Sequence, residues 1–201
     1  MYPSIIRNLI ESYKKLPGIG EKTAERLALA TLNLDDEIIE MFSSSIKNIK
    51  SKIKRCEKCN NFSEEDLCEI CKSASRDSKT ICVVEDPKNV ILFEKVGTYK
   101  GLYYVLNGLI SPLDGIGPND INISNLLNRI KNENISEVII AVKPSVEGET
   151  TALYISKLLA NTDVIVSKIA HGVPLGADME YIDSLTLELA LEDRKKISNK
   201  E

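Results

Sequence analysis

The sequence predicts a multi-domain α/β protein, because three stretches of the chain follow different patterns. Residues 1–55 carry apolar residues at helical spacing and show no convincing strand alternation. Residues 56–79 are polar and contain four of the five cysteines. From residue 80 onward, short apolar runs alternate with amphipathic segments. We therefore expect a helical segment, a small cysteine module, an α/β domain with a parallel sheet and a C-terminal helical segment, which occupy residues 1–55, 56–79, 80–170 and 171–201.

The α/β domain is predicted from four apolar runs of strand length. These runs lie at 80–85, 102–106, 137–142 and 163–169. Helical patterns follow them at 87–96, 123–133, 149–160 and 178–193. Apolar strands separated by helices are typical of buried parallel strands. The Gly- and Pro-rich loop at 107–120 contains four apolar residues, Leu109, Ile110, Leu113 and Ile116, which predict an ordered, packed loop.

The composition fits a globular protein without a membrane segment. Hydrophobic residues make up 43% of the 201 residues and charged residues 28%, which are ordinary values. No apolar run approaches the roughly 20 residues that span a bilayer, and the charged N-terminus is unlike a signal peptide. We expect a cytoplasmic protein whose cysteines stay reduced and serve metal binding or burial.

The charge is unevenly distributed along the chain. The net charge of −4 does not by itself favour a nucleic-acid partner. Residues 1–55, however, hold ten Lys or Arg against seven Asp or Glu, and residues 47–55 contain five basic residues and no acidic one. This basic stretch is compatible with a DNA contact and equally with a solvated helix face.

Cys56, Cys59, Cys68 and Cys71 form two C-x-x-C pairs separated by eight residues. Each pair places two thiolates on one tight turn, and two pairs complete the tetrahedral sulfur shell of a structural zinc site. Zinc binding would supply the folding free energy of a stretch too short and polar to fold by itself. Disulfides, an iron–sulfur site and chance spacing are the alternatives. The fifth cysteine, Cys82, lies in a predicted strand and is expected to be buried rather than a ligand.

The segment LPGIGEKTAERLA (16–28) predicts a helix–hairpin–helix. One helix would end at Leu16 and the next would start near Glu21. Gly18 and Gly20 let backbone N–H groups approach a ligand at a helix N-terminus, which is a favourable place for a phosphate. The hairpin is therefore a candidate DNA-backbone site.

Lys22 and Arg26 lie four residues apart on the second predicted helix and would extend this site. Contacts from such side chains to phosphates recognise the shape and charge of a duplex rather than its base sequence. The alternative is a plain helical hairpin that needs glycine only for its turn.

Three glutamates are predicted to converge at one edge of the sheet. Glu85 closes the first strand, and Glu147 and Glu149 follow the third strand before a helix. Carboxylates at the carboxyl ends of parallel strands lie where ligands of α/β sheets bind, and their oxygens could hold Mg²⁺. Alternatively, they are strand-end and helix N-terminal acids stabilised by the helix dipole.

Taken together, these motifs closely resemble the RecR family of bacterial recombination mediator proteins. The segments that carry the resemblance span nearly the whole chain, and they are the L-P-G-I-G hairpin, the paired C-x-x-C motifs, ICVVE (81–85), LISPLDGIGP (109–118), VEGET (146–150) and IAHGVPLGADMEYID (169–183).

The resemblance implies roles for the residues already singled out. Gly18, Gly20, Lys22 and Arg26 match the family's DNA-binding hairpin, and the four cysteines match its zinc finger. The α/β part resembles a Toprim domain, with Glu85 at its glutamate position and Glu147 and Glu149 at the site of an Asp-x-Asp pair. Residues 171–180, which begin with His171, match the segment after that domain.

The resemblance also implies partners. Proteins of the family form tetrameric rings that can encircle double-stranded and gapped DNA. They work with RecO, and in many bacteria with RecF, to help RecA replace single-strand-binding protein. We therefore expect a nucleoid-associated homotetramer that is not an enzyme. Two residues depart from the family pattern: Lys143 stands where Asn is common, and Lys168 where Arg is common.

Two other functions are open at this point. Toprim domains also serve metal-dependent nucleic-acid enzymes, but here Glu-Gly-Glu replaces the Asp-x-Asp pair, and the chain has no G-x-x-x-x-G-K-[ST] loop for ATP. We also expect no further domain to supply a nucleophilic tyrosine. A protein-only adaptor is the third interpretation, since the acidic α/β part suits a basic protein partner better than DNA.

Overall fold

The computed structural model describes residues 2–170 and 172–194. The chain divides into two compact units, Met1–Ile53 and Lys54–Glu201. Within the described residues, no helix is both long enough and apolar enough to cross a bilayer.

The first unit is a helical hairpin followed by a longer helix. Helices α1 (Ser4–Lys14) and α2 (Glu21–Thr31) pack through a small core of Ile10, Ala24 and Ala28. Helix α3 (Asp36–Lys52) follows and has no buried residue. The first helix ends two residues before the predicted Leu16, because the residue before a proline disfavours the helical conformation and Pro17 follows directly.

The second unit begins with the cysteine module. A two-stranded antiparallel sheet pairs β1 (Lys54–Arg55) with β2 (Phe62–Ser63), and the short helix α4 (Glu69–Lys72) follows. Only helical structure was expected before residue 56, so the strand β1 is a correction. It forms because the first cysteine turn folds the chain back on itself.

The four predicted strands of the α/β domain are all present. They are β3 (Asp77–Val84), β4 (Gly101–Val105), β5 (Glu137–Ala141) and β6 (Ile165–Lys168). All pair in parallel in the order β4-β3-β5-β6. The carboxyl ends of the strands therefore lie at one edge of the sheet, with Val84 opposite Ala141 and Ile140 opposite Lys168.

Helices cover both faces of this sheet. Ile81 and Val83 face one core together with residues of α6 (Ile123–Asn132) and α7 (Val146–Leu159). Cys82 and Val84 face the other core together with Val90 of α5 (Pro87–Val96). Alternate residues of one strand thus serve two cores, and this explains why the strands are apolar throughout.

Two helix boundaries differ from the prediction because of capping residues. Helix α7 begins at Val146 rather than 149, since the Ser145 hydroxyl accepts a hydrogen bond from the N–H of Gly148. The predicted helix at 178–193 is a 3₁₀ turn, Met179–Tyr181, followed by α8 (Ser184–Glu192). Asp183 caps α8 by accepting from the N–H of Thr186 at 2.9 Å.

The loop at 107–120 is ordered as predicted, with one exception. Leu109 and Ile110 are buried, and Ile116 packs against the same core. Leu113 is 97% exposed, because the 3₁₀ turn Pro112–Asp114 carries it away from the body.

Candidate metal centre and nucleic-acid interface

The two C-x-x-C turns have different local structures. In the first, Asn60 adopts the left-handed conformation (φ 62°), and the N–H of Cys56 donates to the carbonyl of Asn61 at 2.8 Å. Asparagine tolerates this conformation better than most residues. In the second, α4 starts directly after Cys68, and the N–H of Lys72 closes the turn onto the Cys68 carbonyl at 3.1 Å.

The turns bring the four cysteine sulfurs together. Their Sγ atoms all lie within 4.8 Å of one another, and those of Cys59 and Cys68 are 3.5 Å apart. A tetrahedral site with Zn–S bonds of about 2.3 Å separates its sulfurs by about 3.8 Å. The donor set therefore fits a structural zinc ion, which when bound cross-links the two turns.

The sulfurs interact closely, and hydrogen bonds among them shift their pKa values in opposite directions: the pKa of Cys68 falls and that of Cys59 rises. Cys56, Cys59 and Cys68 are buried, and Cys71 is partly buried. The N–H of Cys68 donates to the Cys56 sulfur at 3.3 Å. Hydrogen bonds from Cys59 and Cys71 lower the pKa of the Cys68 thiol. Cys82 lies outside the cluster in β3, where burial raises its pKa to about 12.

The cysteine module lies against the free edge of β4. The N–H of Val105 donates to the carbonyl of Cys59 at 2.9 Å, and the Asn60 side-chain amide donates to the Val105 carbonyl at 3.1 Å. The Arg55 guanidinium donates to the Asn107 side chain at 2.9 Å. The module thus covers an edge strand that would otherwise present unpaired backbone groups.

The hairpin presents its glycines and basic residues to solvent. Gly18 has a φ of +82°, so glycine is required there by the backbone conformation. Gly20 is the N-cap of α2 and has no side chain to occupy the first N–H groups of the helix. Lys22 and Arg26 are exposed one turn apart on α2.

An ion pair neutralises Glu21, the acidic residue at the N-terminus of α2. The Lys14 ammonium lies 2.6 Å from Glu21, the first residue of α2, and 2.8 Å from Glu11. Hydrogen bonds to Glu11 and Glu21 raise the pKa of Lys14. Because the Glu21 charge would otherwise repel a phosphate at the helix N-terminus, Lys14 keeps this end of α2 suited to an anion.

The basic stretch 47–55 divides into two parts. Lys54 pairs with Asp66, and the Arg55 guanidinium lies 4.7 Å above the ring of Phe62. These two residues are thus engaged within the cysteine module. Lys47 and Lys50 are exposed on α3.

The three glutamates lie at the predicted edge of the sheet, but each has its own partner. Glu85 lies 3.7 Å from the Lys143 ammonium, and Glu149 pairs with Lys168 at 2.9 Å. Glu147 accepts a hydrogen bond from the Ser145 hydroxyl at 2.7 Å, and this hydrogen bond lowers its pKa.

This arrangement does not fit Mg²⁺. Among the described residues, the four cysteines are the one group of three or more potential ligands that lies close enough for a shared ion. Two lysine ammonium groups already neutralise Glu85 and Glu149. Glu147 and Glu149 lie in the first turn of α7, so the geometry favours the alternative of helix N-terminal acids.

Gly148 has a structural role between these glutamates. A Cβ at this position would lie 2.0 Å from the Lys143 carbonyl oxygen. The glycine therefore allows the turn after β5 to pack closely onto the start of α7.

The segment after the α/β domain makes few buried contacts with the rest of the chain. His171 lies outside the described residues, and none of residues 172–194 is buried. Leu175, Tyr181 and Leu191 are strongly exposed.

Sequence reasoning missed two residues that shape the sites. Lys14 lies seven positions before Glu21, on the other side of a turn, and this spacing does not predict an ion pair. Arg129 is buried next to the cysteine module, although its position in the amphipathic helix α6 is that of an ordinary basic residue.

Comparison with known protein families matches four models in order along the chain. They are described as RecR, helix-hairpin-helix, at residues 6–50; the RecR zinc finger domain with four cysteines, at 53–73; Toprim domain, at 79–170; and RecR, C-terminal, at 172–195. The first match contains the four hairpin residues, the second the four cysteines and the third the three glutamates.

Proposed function

We propose that this chain, which belongs to the RecR family, holds DNA as part of recombination and repair without changing it chemically. The family's domains make a RecR-type recombination mediator the general function. The observation that carries the DNA contact is the hairpin, in which Gly18 and Gly20 lead into a helix with Lys22 and Arg26 exposed.

The proposed contact reads the DNA backbone. A phosphate would accept hydrogen bonds from N–H groups at the start of α2, and Lys22 and Arg26 would pair with neighbouring phosphates. Such binding is independent of base sequence, which suits a protein that acts wherever DNA is gapped or damaged. We accordingly propose that the protein is associated with the nucleoid.

The absence of catalysis is supported by the glutamates. Catalytic Toprim chemistry requires carboxylates that gather around a divalent cation. Here Lys143 and Lys168 pair with Glu85 and Glu149. We therefore propose that the edge of this sheet serves binding rather than phosphoryl transfer.

Self-association is supported by apolar surface that the chain leaves uncovered. Along α3 and its C-cap residue, exposed apolar residues recur at spacings of three and four, in the order Ile39, Phe42, Ile46, Ile49 and Ile53. Such spacing is typical of helix–helix contacts between chains. Residues 172–194 carry a second set of uncovered apolar side chains, Leu175, Tyr181 and Leu191. Two such surfaces allow a closed ring, and we propose a homotetramer that encircles DNA.

Protein partners are proposed for the acidic edge of the sheet. An apolar groove between α7 and α8, lined by Pro144, Val146, Leu153, Leu185 and Leu189, lies next to Glu147 and Glu149. An apolar groove with acidic groups beside it suits a basic protein. We propose that RecO binds here, with RecF as a further partner, and that the complex helps RecA to replace single-strand-binding protein.

Two measurements on the zinc-loaded protein test the proposal. Fluorescence anisotropy with labelled duplex and gapped DNA should show binding that weakens steeply with salt. Supercoiled plasmid incubated with the protein and Mg²⁺ should remain supercoiled. Lack of DNA binding at low salt would contradict the DNA contact, and nicking or relaxation would show an enzyme instead.

A further inference from the structure

Arg129 is a buried arginine whose charge is only partly balanced by carboxylates. It lies in α6 with 7% of its surface exposed. Its Nε donates to Glu133 at 3.0 Å, but Glu133 also pairs with the Lys58 ammonium at 3.0 Å. One carboxylate thus serves two cations.

The same guanidinium joins the cysteine module to the sheet. Its Nη1 donates to the carbonyl of Lys58, within the first C-x-x-C turn, at 3.2 Å and to the carbonyl of Tyr103 in β4 at 3.0 Å. Its Nη2 is buried and has no hydrogen-bond partner in the part of the chain that the structure describes. A buried guanidinium with an unused donor calls for a further source of negative charge.

The contact with the Lys58 carbonyl places Arg129 beside the first C-x-x-C turn, so the cysteine cluster is the candidate source. With zinc bound, four thiolates would outnumber the two charges of the ion, and the site would carry a net negative charge inside the protein. Burial by itself would lower the pKa of Arg129. The hydrogen bond with Glu133 and the negative charges of Cys71 and Cys59 outweigh burial, so the pKa is raised.

We propose that Arg129 is the charge-compensating and positioning residue of the four-cysteine zinc site. Its guanidinium balances the excess negative charge of the thiolates and holds the Lys58 carbonyl, and with it the first turn, to β4. Residues around metal ligands commonly tune affinity by about 10–100-fold. The strength of zinc binding in this chain is then set partly by a helix of the α/β domain.

Zinc competition against a chromophoric chelator at fixed pH tests this in the full chain. Arg129→Gln removes the charge and should weaken zinc binding by about 10–100-fold. Arg129→Lys keeps the charge and should restore most of that affinity, although it loses the forked contact with the two carbonyls. In the cobalt-substituted protein, the thiolate-to-metal charge-transfer bands should shift in Arg129→Gln.

Arg76 provides a matched control, because it lies after both C-x-x-C turns and directly before β3. It pairs with Glu94 and donates to the carbonyls of Tyr99 and Gly101, so it too ties together parts of this unit. Arg76→Gln should leave zinc affinity and the cobalt spectrum unchanged. Wild-type zinc affinity in Arg129→Gln would overturn the proposal, as would equal losses in Arg129→Lys and Arg129→Gln, because the latter result indicates a purely structural contact.

Glu133→Gln keeps the proposal testable should Arg129→Gln fail to fold. A glutamine oxygen still accepts from the Arg129 Nε, so the arginine stays in place while one negative charge beside it is removed. Zinc affinity should then stay the same or rise. A loss of zinc affinity in Glu133→Gln would overturn the role in charge compensation.

Discussion

The backbone carbonyl of Cys59 accepts a hydrogen bond of 2.9 Å from the N–H of Val105. A metal-ligating residue is thereby joined directly to the edge strand of the α/β sheet. The side-chain amide of Asn60 donates to the Val105 carbonyl, so two hydrogen bonds hold the first cysteine turn to this edge strand. We therefore expect zinc binding and protection of the sheet edge to be linked.

Removal of zinc should therefore loosen β4 while β3 and β5 stay protected. Without zinc the first turn loses its cross-link, and the two hydrogen bonds with Val105 are lost with it. At about 0.5–1.5 kcal/mol for each bond, the free energy of local opening at β4 should fall by about 1–3 kcal/mol. Hydrogen exchange followed by mass spectrometry, with and without chelator, measures this.

Restoring zinc is the control for that experiment and should restore protection of β4. Unchanged exchange in β4 after zinc removal would show that the module is held by other contacts. Loss of protection throughout β3 and β5 would show that the α/β domain requires zinc to fold.

The variant with both Lys22→Ala and Arg26→Ala should bind duplex DNA more weakly and with a shallower salt dependence. Each phosphate contact contributes about 0.9 to the slope of log affinity against log salt, so the slope should fall by about 1.8. Anisotropy titrations between low and moderate salt measure both quantities.

Lys88 and Lys95 provide the control for that variant, because both are exposed on α5 of the other unit. Their double alanine variant removes the same charge from a surface not assigned to DNA. If it lowers the slope as much as Lys22→Ala with Arg26→Ala does, the DNA contact would be general electrostatic attraction and not the hairpin.

Much of the fold could be predicted from the sequence, because its signals are local. The buried strands are apolar throughout, so each was found within a few residues of its true ends. The cysteine site was evident because ligand spacing reflects the two turns that present the sulfurs. The capped starts of α7 and α8 were placed less well, since Ser145 and Asp183 act as caps only once the preceding chain is fixed.

The ion pairs and hydrogen bonds that balance charge at the glutamates and beside the cysteine module could not be predicted from the sequence. Lys168 reaches Glu149 because β6 pairs with β5 in one particular register. Arg129 meets the cysteine module from a helix more than fifty residues away in the chain. The apolar residues at helical spacing in residues 1–55 were likewise ambiguous, because such spacing alone does not distinguish an internal core from a surface between chains.

Charge reversal by Glu147→Lys with Glu149→Lys should impair RecO binding more than DNA binding. The change places two cations beside Lys143 and Lys168, so a basic partner would be repelled from this edge of the sheet. We expect about a tenfold loss of RecO affinity in surface plasmon resonance, with duplex affinity maintained or slightly increased.

Two controls accompany that variant. Cations at a helix N-terminus cost about 0.3–1 kcal/mol each, so thermal unfolding must show that the variant remains folded. Asp163→Lys places a cation at the opposite end of β6, on an exposed residue, and should leave RecO binding unchanged. Equal losses of RecO and DNA affinity would contradict the proposed division between the two surfaces.

Ile46→Glu on α3 should divide the proposed tetramer into smaller assemblies without unfolding the chain. Ile46 is 60% exposed and lies in the middle of the apolar row on a helix that has no buried residue, so the change costs the monomer little. A buried carboxylate between two helices would strongly oppose their contact.

Leu92→Glu on α5 is the matched control, because Leu92 is 59% exposed and lies outside both uncovered surfaces. Sedimentation equilibrium over a concentration series should show dimers for Ile46→Glu, since residues 172–194 keep their own surface, and tetramers for Leu92→Glu. An unchanged mass for Ile46→Glu would exclude α3 from the interface and leave the C-terminal segment as the surface to test.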